Sequence, residues 1–131
     1  MREILFRGKS KDNDVWVEGY YCGKVNKTIF SPAEDSAQIV DKDLYWHEVI
    51  PETVGQYTGL KDRKGTDIFE GDIVNIIGGD EKGIVRWHTN DAVFVIAHSR
   101  FEMTFFNDLW GDGVEAIGNI YDNPELLKGE G

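Results

Sequence analysis

A single cysteine, Cys22, leaves the chain without an internal disulfide, so its stability must come from burial alone. The only three histidines, His47, His88 and His98, fall in none of the HxxxH, HExxH or paired-cysteine spacings that hold zinc. No metal and no cofactor is expected. There is no run of about 18 apolar residues, which excludes a membrane-spanning helix on sequence grounds. The apolar stretch near the amino end, Ile4-Leu5-Phe6, is too short for the core of a signal peptide. These absences lead to the expectation of a cytoplasmic protein kept in a reducing compartment. Basic residues are also scarce: 14 Lys and Arg stand against 24 Asp and Glu, a formal charge of −10. Duplex-binding proteins draw much of their affinity from cations that displace counterions from phosphate, and so acidic a chain is poorly suited to that.

What is present suits one globular domain. The 131 residues are 40% apolar and 29% charged, with 16 aromatics of which four are Trp, enough to build a core at this length. The charge is uneven, with a net +2 over residues 1–30 and −12 over residues 31–131. Two partner classes follow. The favoured one is a protein, met by the acidic surface or by self-association into a homo-oligomer. The alternative is nucleic acid, held by the amino-terminal cations Arg7, Lys9, Lys11, Lys24 and Lys27, with aromatics such as Trp46, Tyr57 and Trp87 stacking on bases.

Local patterns read as β structure throughout. β-rich segments occur at 4–7, 15–21, 38–40, 44–46, 54–60, 66–69, 72–77, 84–88, 92–97 and 114–121, separated by Gly, Asn and Asp clusters that supply turns. Within 84–88, Val85 and Trp87 share one face, while 92–97 is apolar on both faces and so predicts a strand covered on both sides. Gly118 marks a bulge, and Asp122-Asn123-Pro124 opens a helical turn over 125–127. Gly71-Asp72 predicts a tight turn fixed by the Asp72 side chain.

The segment Glu52-Thr-Val-Gly-Gln-Tyr-Thr-Gly-Leu60, the wider stretch 49–74 and the ending 116–127 resemble the YopX family of phage and prophage proteins, as does the opening Arg2-Glu-Ile-Leu-Phe-Arg7. The resemblance implies an all-β, two-part architecture and no catalytic residues. Phe69-Glu-Gly-Asp-Ile-Val74 followed by Gly83 is also similar to the opening of SH3-like small barrels. The expected arrangement is one domain over 1–131, with an amino-terminal β part at 1–48, an SH3-like barrel part at 54–121 and a short carboxy-terminal turn and tail at 122–131. The sequence between the two parts is too short for an independent linker, so they are expected to share one core.

No constellation reads as catalytic, and the chain is not expected to be an enzyme. Asp62, Asp67, Glu70 and Asp72 are close together, but they lack calcium-loop spacing and two of the four occupy turns where Asp is expected for backbone reasons, so the cluster reads as structural. Cys22 reads as a buried strand thiol. Gly78-Gly79 leads into a strand rather than a helix, unlike a phosphate loop. The remaining feature is Phe105-Phe106 near Trp110. Two adjacent aromatics in a strand cannot both face one core, so these three residues are the expected interaction surface. The functional expectation is a phage-derived accessory protein that acts by binding, with its partner and pathway undetermined by sequence.

Overall fold

Side chains along residues 36–40 and 46–49 alternate between a buried face and an outward one. Ala37, Ile39 and Val49 are fully buried, while Gln38, Val40, Trp46 and Glu48 face the other way. In the computed structural model, which describes residues 4–25, 36–76, 82–89, 92–97, 102–104 and 113–127, this pattern builds antiparallel sheet and the chain is all-β. The chain divides into two units, Met1–Gln56 and Tyr57–Gly131.

The first unit contains β1 (Phe6–Lys9), β2 (Trp16–Val25), β3 (Ser36–Val40), β4 (Trp46–Val49), a 3-10 turn at Pro51–Thr53 and the start of β5 (Gly55–Lys61). Its strands pair in the order β4-β3-β2-β1, and Phe6 and Arg7 also pair with Gln56 and Gly55 of β5. Ser10 bridges Val49, Lys11 N–H donates to the Glu48 carbonyl at 3.0 Å and Ile50 N–H donates to the Lys9 carbonyl at 2.8 Å. The end of β1 therefore covers the outer edge of β4, an edge that would otherwise invite strand addition. Ala37, Ile39 and Val49 form the core cluster, with Phe6, Val17, Tyr21 and Val54 packed on it.

The second unit continues β5 and adds β6 (Asp67–Phe69), β7 (Asp72–Ile76), β8 (Lys82–His88), β9 (Val93–Ala97), β10 (Glu102–Thr104), β11 (Val114–Asn119) and a 3-10 turn at Pro124–Leu127. The strand order is β10-β9-β8-β7-β11, with β5 and β6 paired as a hairpin. Ile68, Val74, Val85, Phe94, Ile96 and Val114 make its core. Phe94, Val95 and Ile96 are all buried, the two-sided burial that the unbroken apolar run of 92–97 predicts. β10 and β11 are the edges of this order, and a closing pair of an SH3-like barrel is not among the described pairings. The register shift between Ala116 and Gly118 is the bulge expected there.

Two local expectations need correction. Residues 44–46 are not a strand: 41–45 is a turn and β4 begins at Trp46, because the Asp41 carboxylate captures the backbone that a strand would need. Cys22 is exposed rather than buried, because the β2–β3 register slips between Tyr21 and Lys24 and the alternation of β2 breaks there. No helix among the described residues is long and apolar enough to cross a membrane.

Gly19 controls the close crossing in the first unit. A Cβ built there would lie 2.0 Å from the Val40 carbonyl oxygen, a backbone atom that cannot swing aside. Gly19→Ala is expected to destabilise by roughly 3 kcal/mol or more, through forced strand displacement. Gly65→Ala, with φ +84° but nothing within 4 Å of its Cβ, should cost only about 1 kcal/mol. Urea midpoints of the two variants check that ranking.

Candidate interaction surface

The outward face of the first unit is built by register. Tyr20 pairs with Val40 and Val40 with Trp46, so these three side chains form one row across β2, β3 and β4. Glu18 pairs with Arg7 and Trp16 with Lys9 on the same face, away from the core. The Arg7 guanidinium lies 4.7 Å from the Trp16 ring centre and the Lys9 ammonium 5.9 Å from it.

The turn 41–45 ends this face. One Asp41 carboxylate oxygen accepts from the backbone N–H of Asp43 at 2.9 Å and of Tyr45 at 3.0 Å, and the other accepts from His47 Nε2 at 2.8 Å. Asp41 N–H donates to the Tyr45 carbonyl, and Leu44 N–H to the Asp41 carbonyl, each at 3.0 Å. The His47 hydrogen bond, with those of Tyr45 and Asp43, outweighs partial desolvation and holds the Asp41 carboxyl below the usual carboxylate range. The consequence is a rigid turn that places Leu44 at φ 68°, a left-handed conformation that costs a branched, bulky residue about 1 kcal/mol or more. Leu44, Tyr45 and Trp46 are 75%, 68% and 64% exposed, and Tyr20 is 65% exposed. Strain and exposure thus coincide on an apolar tip.

Asp62 and Asp72, two of the four clustered acids, hold turns, while Asp67 lies in β6. Phe69 N–H donates to Asp72 Oδ2 at 2.8 Å across the turn in which Gly71 has φ 92°. Asp62 ties the β5–β6 turn to β11. Its Oδ1 accepts from Lys64 and Thr66 N–H, both at 2.9 Å, and its Oδ2 from Ala116 N–H at 3.0 Å. Arg63 N–H adds a bond to the Val114 carbonyl at 3.3 Å, and Lys64 Nζ meets Glu115 Oε1 at 2.6 Å. Lys61 pairs with Asp67. An open depression of about 440 Å³ beside this turn is lined by Tyr57, Gly59, Leu60, Lys61, Asp62, Arg63 and Gly65. The Asp62 carboxylate on its wall is committed to three backbone N–H groups.

Of the other candidate residues, Tyr57 is buried in ring contact with Phe69 at 5.4 Å, and Trp87 makes an edge contact with Phe94 at 4.9 Å. Lys11 pairs with Glu48 at 3.5 Å. His47 serves Asp41, and no group of three metal-ligating side chains occurs among the described residues. Phe105, Phe106, Trp110, His98, Lys27 and the Gly78-Gly79 turn lie outside the described residues, as does the side chain of Lys24. Sequence reasoning missed the tip, although Asp41-Lys42-Asp43 is a turn signal directly ahead of Leu44-Tyr45-Trp46.

Fold and surface together define a class: a two-unit antiparallel β protein with an apolar hairpin tip in its first unit. The family model described as "YopX protein" matches residues 5–128, and the chain belongs to the YopX family. Among solved structures it is similar to the crystal structure of protein EF1440 from Enterococcus faecalis, at 21% identity and a TM-score of 0.60 over 98% of this chain and 100% of that one. That likeness shows the fold. No curated protein matches the chain.

The Asp62 geometry gives a pH prediction. Burial pushes its carboxyl up, but the N–H groups of Ala116, Thr66 and Lys64, with the Lys64 ammonium, outweigh that and leave it lowered. A depressed carboxyl stabilises the fold fully above the ordinary value of about 3.9, and that contribution is lost as pH falls through the depressed value. Asp62→Asn turns an amide N–H toward Ala116 N–H. It should cost roughly 2 kcal/mol at neutral pH. It should also flatten the loss of stability below about pH 4, the range in which the wild-type carboxyl takes up its proton. Denaturant midpoints from neutral to acid pH measure both.

Proposed function

We propose that the protein is a phage-derived accessory protein of the bacterial cytoplasm that works by binding another protein and catalyses no reaction. The observation that carries this reading is the exposure of Tyr20, Leu44, Tyr45 and Trp46 at one end of the first unit, the last three on or beside a strained turn. Soluble proteins seldom hold several large apolar side chains in contact with water at one place unless something binds there. Aromatic side chains on a rigid support are the usual anchors of protein interfaces. Support also comes from the carboxylates, since Asp41, Asp62 and Asp72 are engaged by backbone N–H groups in the manner of structural residues. The exposed thiol of Cys22 suits a reducing compartment.

Nucleic acid is the other partner class. Arg7 and Lys9 lie on the same face as Tyr20 and Trp46, but their cations rest against the Trp16 ring and Lys11 pairs with Glu48, so phosphate would have to compete for them. A net charge of −10 opposes it further.

Affinity capture from phage-bearing host lysate, with and without nuclease, separates these classes. Protein binding predicts a co-eluting protein that survives nuclease and falls at least about tenfold with Tyr45→Ser/Trp46→Ser, the loss of about 1.4 kcal/mol or more expected of interface anchors. Capture abolished by nuclease, or equal capture by the variant, overturns the reading.

A further inference from the structure

We infer that the outward face of the first unit, centred on Tyr20, Val40 and Trp46 and ending at Leu44, is where a second copy of this chain docks. This rests on the protein-binding reading above and names its occupant.

The argument begins with charge. The chain carries −10, so two copies repel unless they meet where the charge cancels. Among the described side chains on the strands of this face the charged ones are Arg7 and Lys9 against Glu18 and Glu48, two of each sign. At the hairpin end Lys42 and Asp43 carry opposite charges, while Asp41 hydrogen-bonds His47, which lies opposite Ile39 on the other face. A neutral face with an apolar centre and a rim of mixed sign is self-complementary. That is the requirement of a two-fold interface, in which the same patch is used on both subunits. A basic partner would instead favour a surface with an acidic excess.

Size agrees. Tyr20, Trp46 and Leu44, each about two-thirds or more exposed, offer roughly 400 Å². With Val40, Gln38 and the charged rim the face approaches the about 800 Å² per partner of a standard interface. A reversible, concentration-dependent dimer is therefore expected.

The strain at Leu44 supplies an independent handle. The left-handed region suits Asn far better than Leu, so the fold itself gains nothing from a leucine at φ 68° that is mostly in water. An interface that buries its side chain accounts for it. This is the trade of stability for contact found at binding sites.

Sedimentation of the full chain over a concentration series tests the inference, using wild type, Leu44→Asn, Trp46→Ser and, as a control in the other unit, Trp87→Ser, each with its thermal midpoint. Wild type should pass from one-copy to two-copy mass. Raising salt from about 0.05 to about 0.5 M should strengthen the association, because it screens the like charge elsewhere on the two copies. Leu44→Asn should keep or raise the thermal midpoint while weakening association severalfold. Trp46→Ser should weaken it at least tenfold and Trp87→Ser should leave it intact. A wild type that stays monomeric at all concentrations overturns the inference. A dimer indifferent to both Leu44→Asn and Trp46→Ser also overturns it, since another face is then in use. If wild type is monomeric yet Trp46→Ser still loses captured protein from lysate, the second copy is wrong and the protein-binding reading survives. If Trp46→Ser alters neither assay, both fall.

Discussion

The hydrogen bond from a backbone N–H to an aspartate carboxylate holds this fold together at its turns. Short strands joined by turns put a large share of residues into reversals of direction, and each reversal leaves amide groups that need partners. Asp41 closes the β3–β4 turn, Asp62 closes the β5–β6 turn and reaches β11, and Asp72 closes the turn before β7. Asn119 and Asn123 do the same work after β11, where Asn119 Oδ1 accepts from Tyr121 and Asp122 N–H and Asn123 Oδ1 accepts from Asn119 N–H. Part of the acidity of the chain is therefore internal architecture. The composition that first suggests an acidic binding face is in part a set of turn fasteners.

Seen this way, the two units use the same device to different ends. In the second unit Asp62 directs its carboxylate at the backbone of β11, and with Arg63 N–H on Val114 it occupies groups that an incoming strand would otherwise seek. The device there closes an edge. In the first unit the edge of β4 is already covered by residues 9–11, and Asp41 instead fixes a turn whose side chains face water. The device there displays a surface. The same carboxylate chemistry thus blocks strand addition in one unit and presents apolar contact area in the other.

Much of the fold was legible from sequence because it depends on period-two alternation and on turn chemistry, both local. The strand at 38–40, the unbroken apolar run of β9, the bulge near Gly118 and the Gly71-Asp72 turn all follow from neighbouring residues. The interaction surface was less legible. Leu44-Tyr45-Trp46 is as β-rich as any strand, and only the Asp41 side chain, three residues upstream and bonded to His47 beyond, turns it into an exposed tip. Cys22 was misplaced for a related reason: a register slip changes which face a residue takes, and slips depend on the partner strand. The aromatics at Phe105, Phe106 and Trp110 lie outside the described residues, so the surface found in the structure adds to that expectation without replacing it.

The central claim is that this protein acts through the face formed by Tyr20, Val40, Trp46 and the 41–45 turn. Nitrogen–proton correlation spectra across a dilution series test it residue by residue. The account predicts concentration-dependent shifts in the amides of Tyr20, Val40 and Leu44 to Trp46 and in the Trp46 indole N–H, with the amides of Ile73, Val74 and Val85 in the core of the second unit unmoved. Shifts confined to the second unit, or none at any concentration, would contradict it.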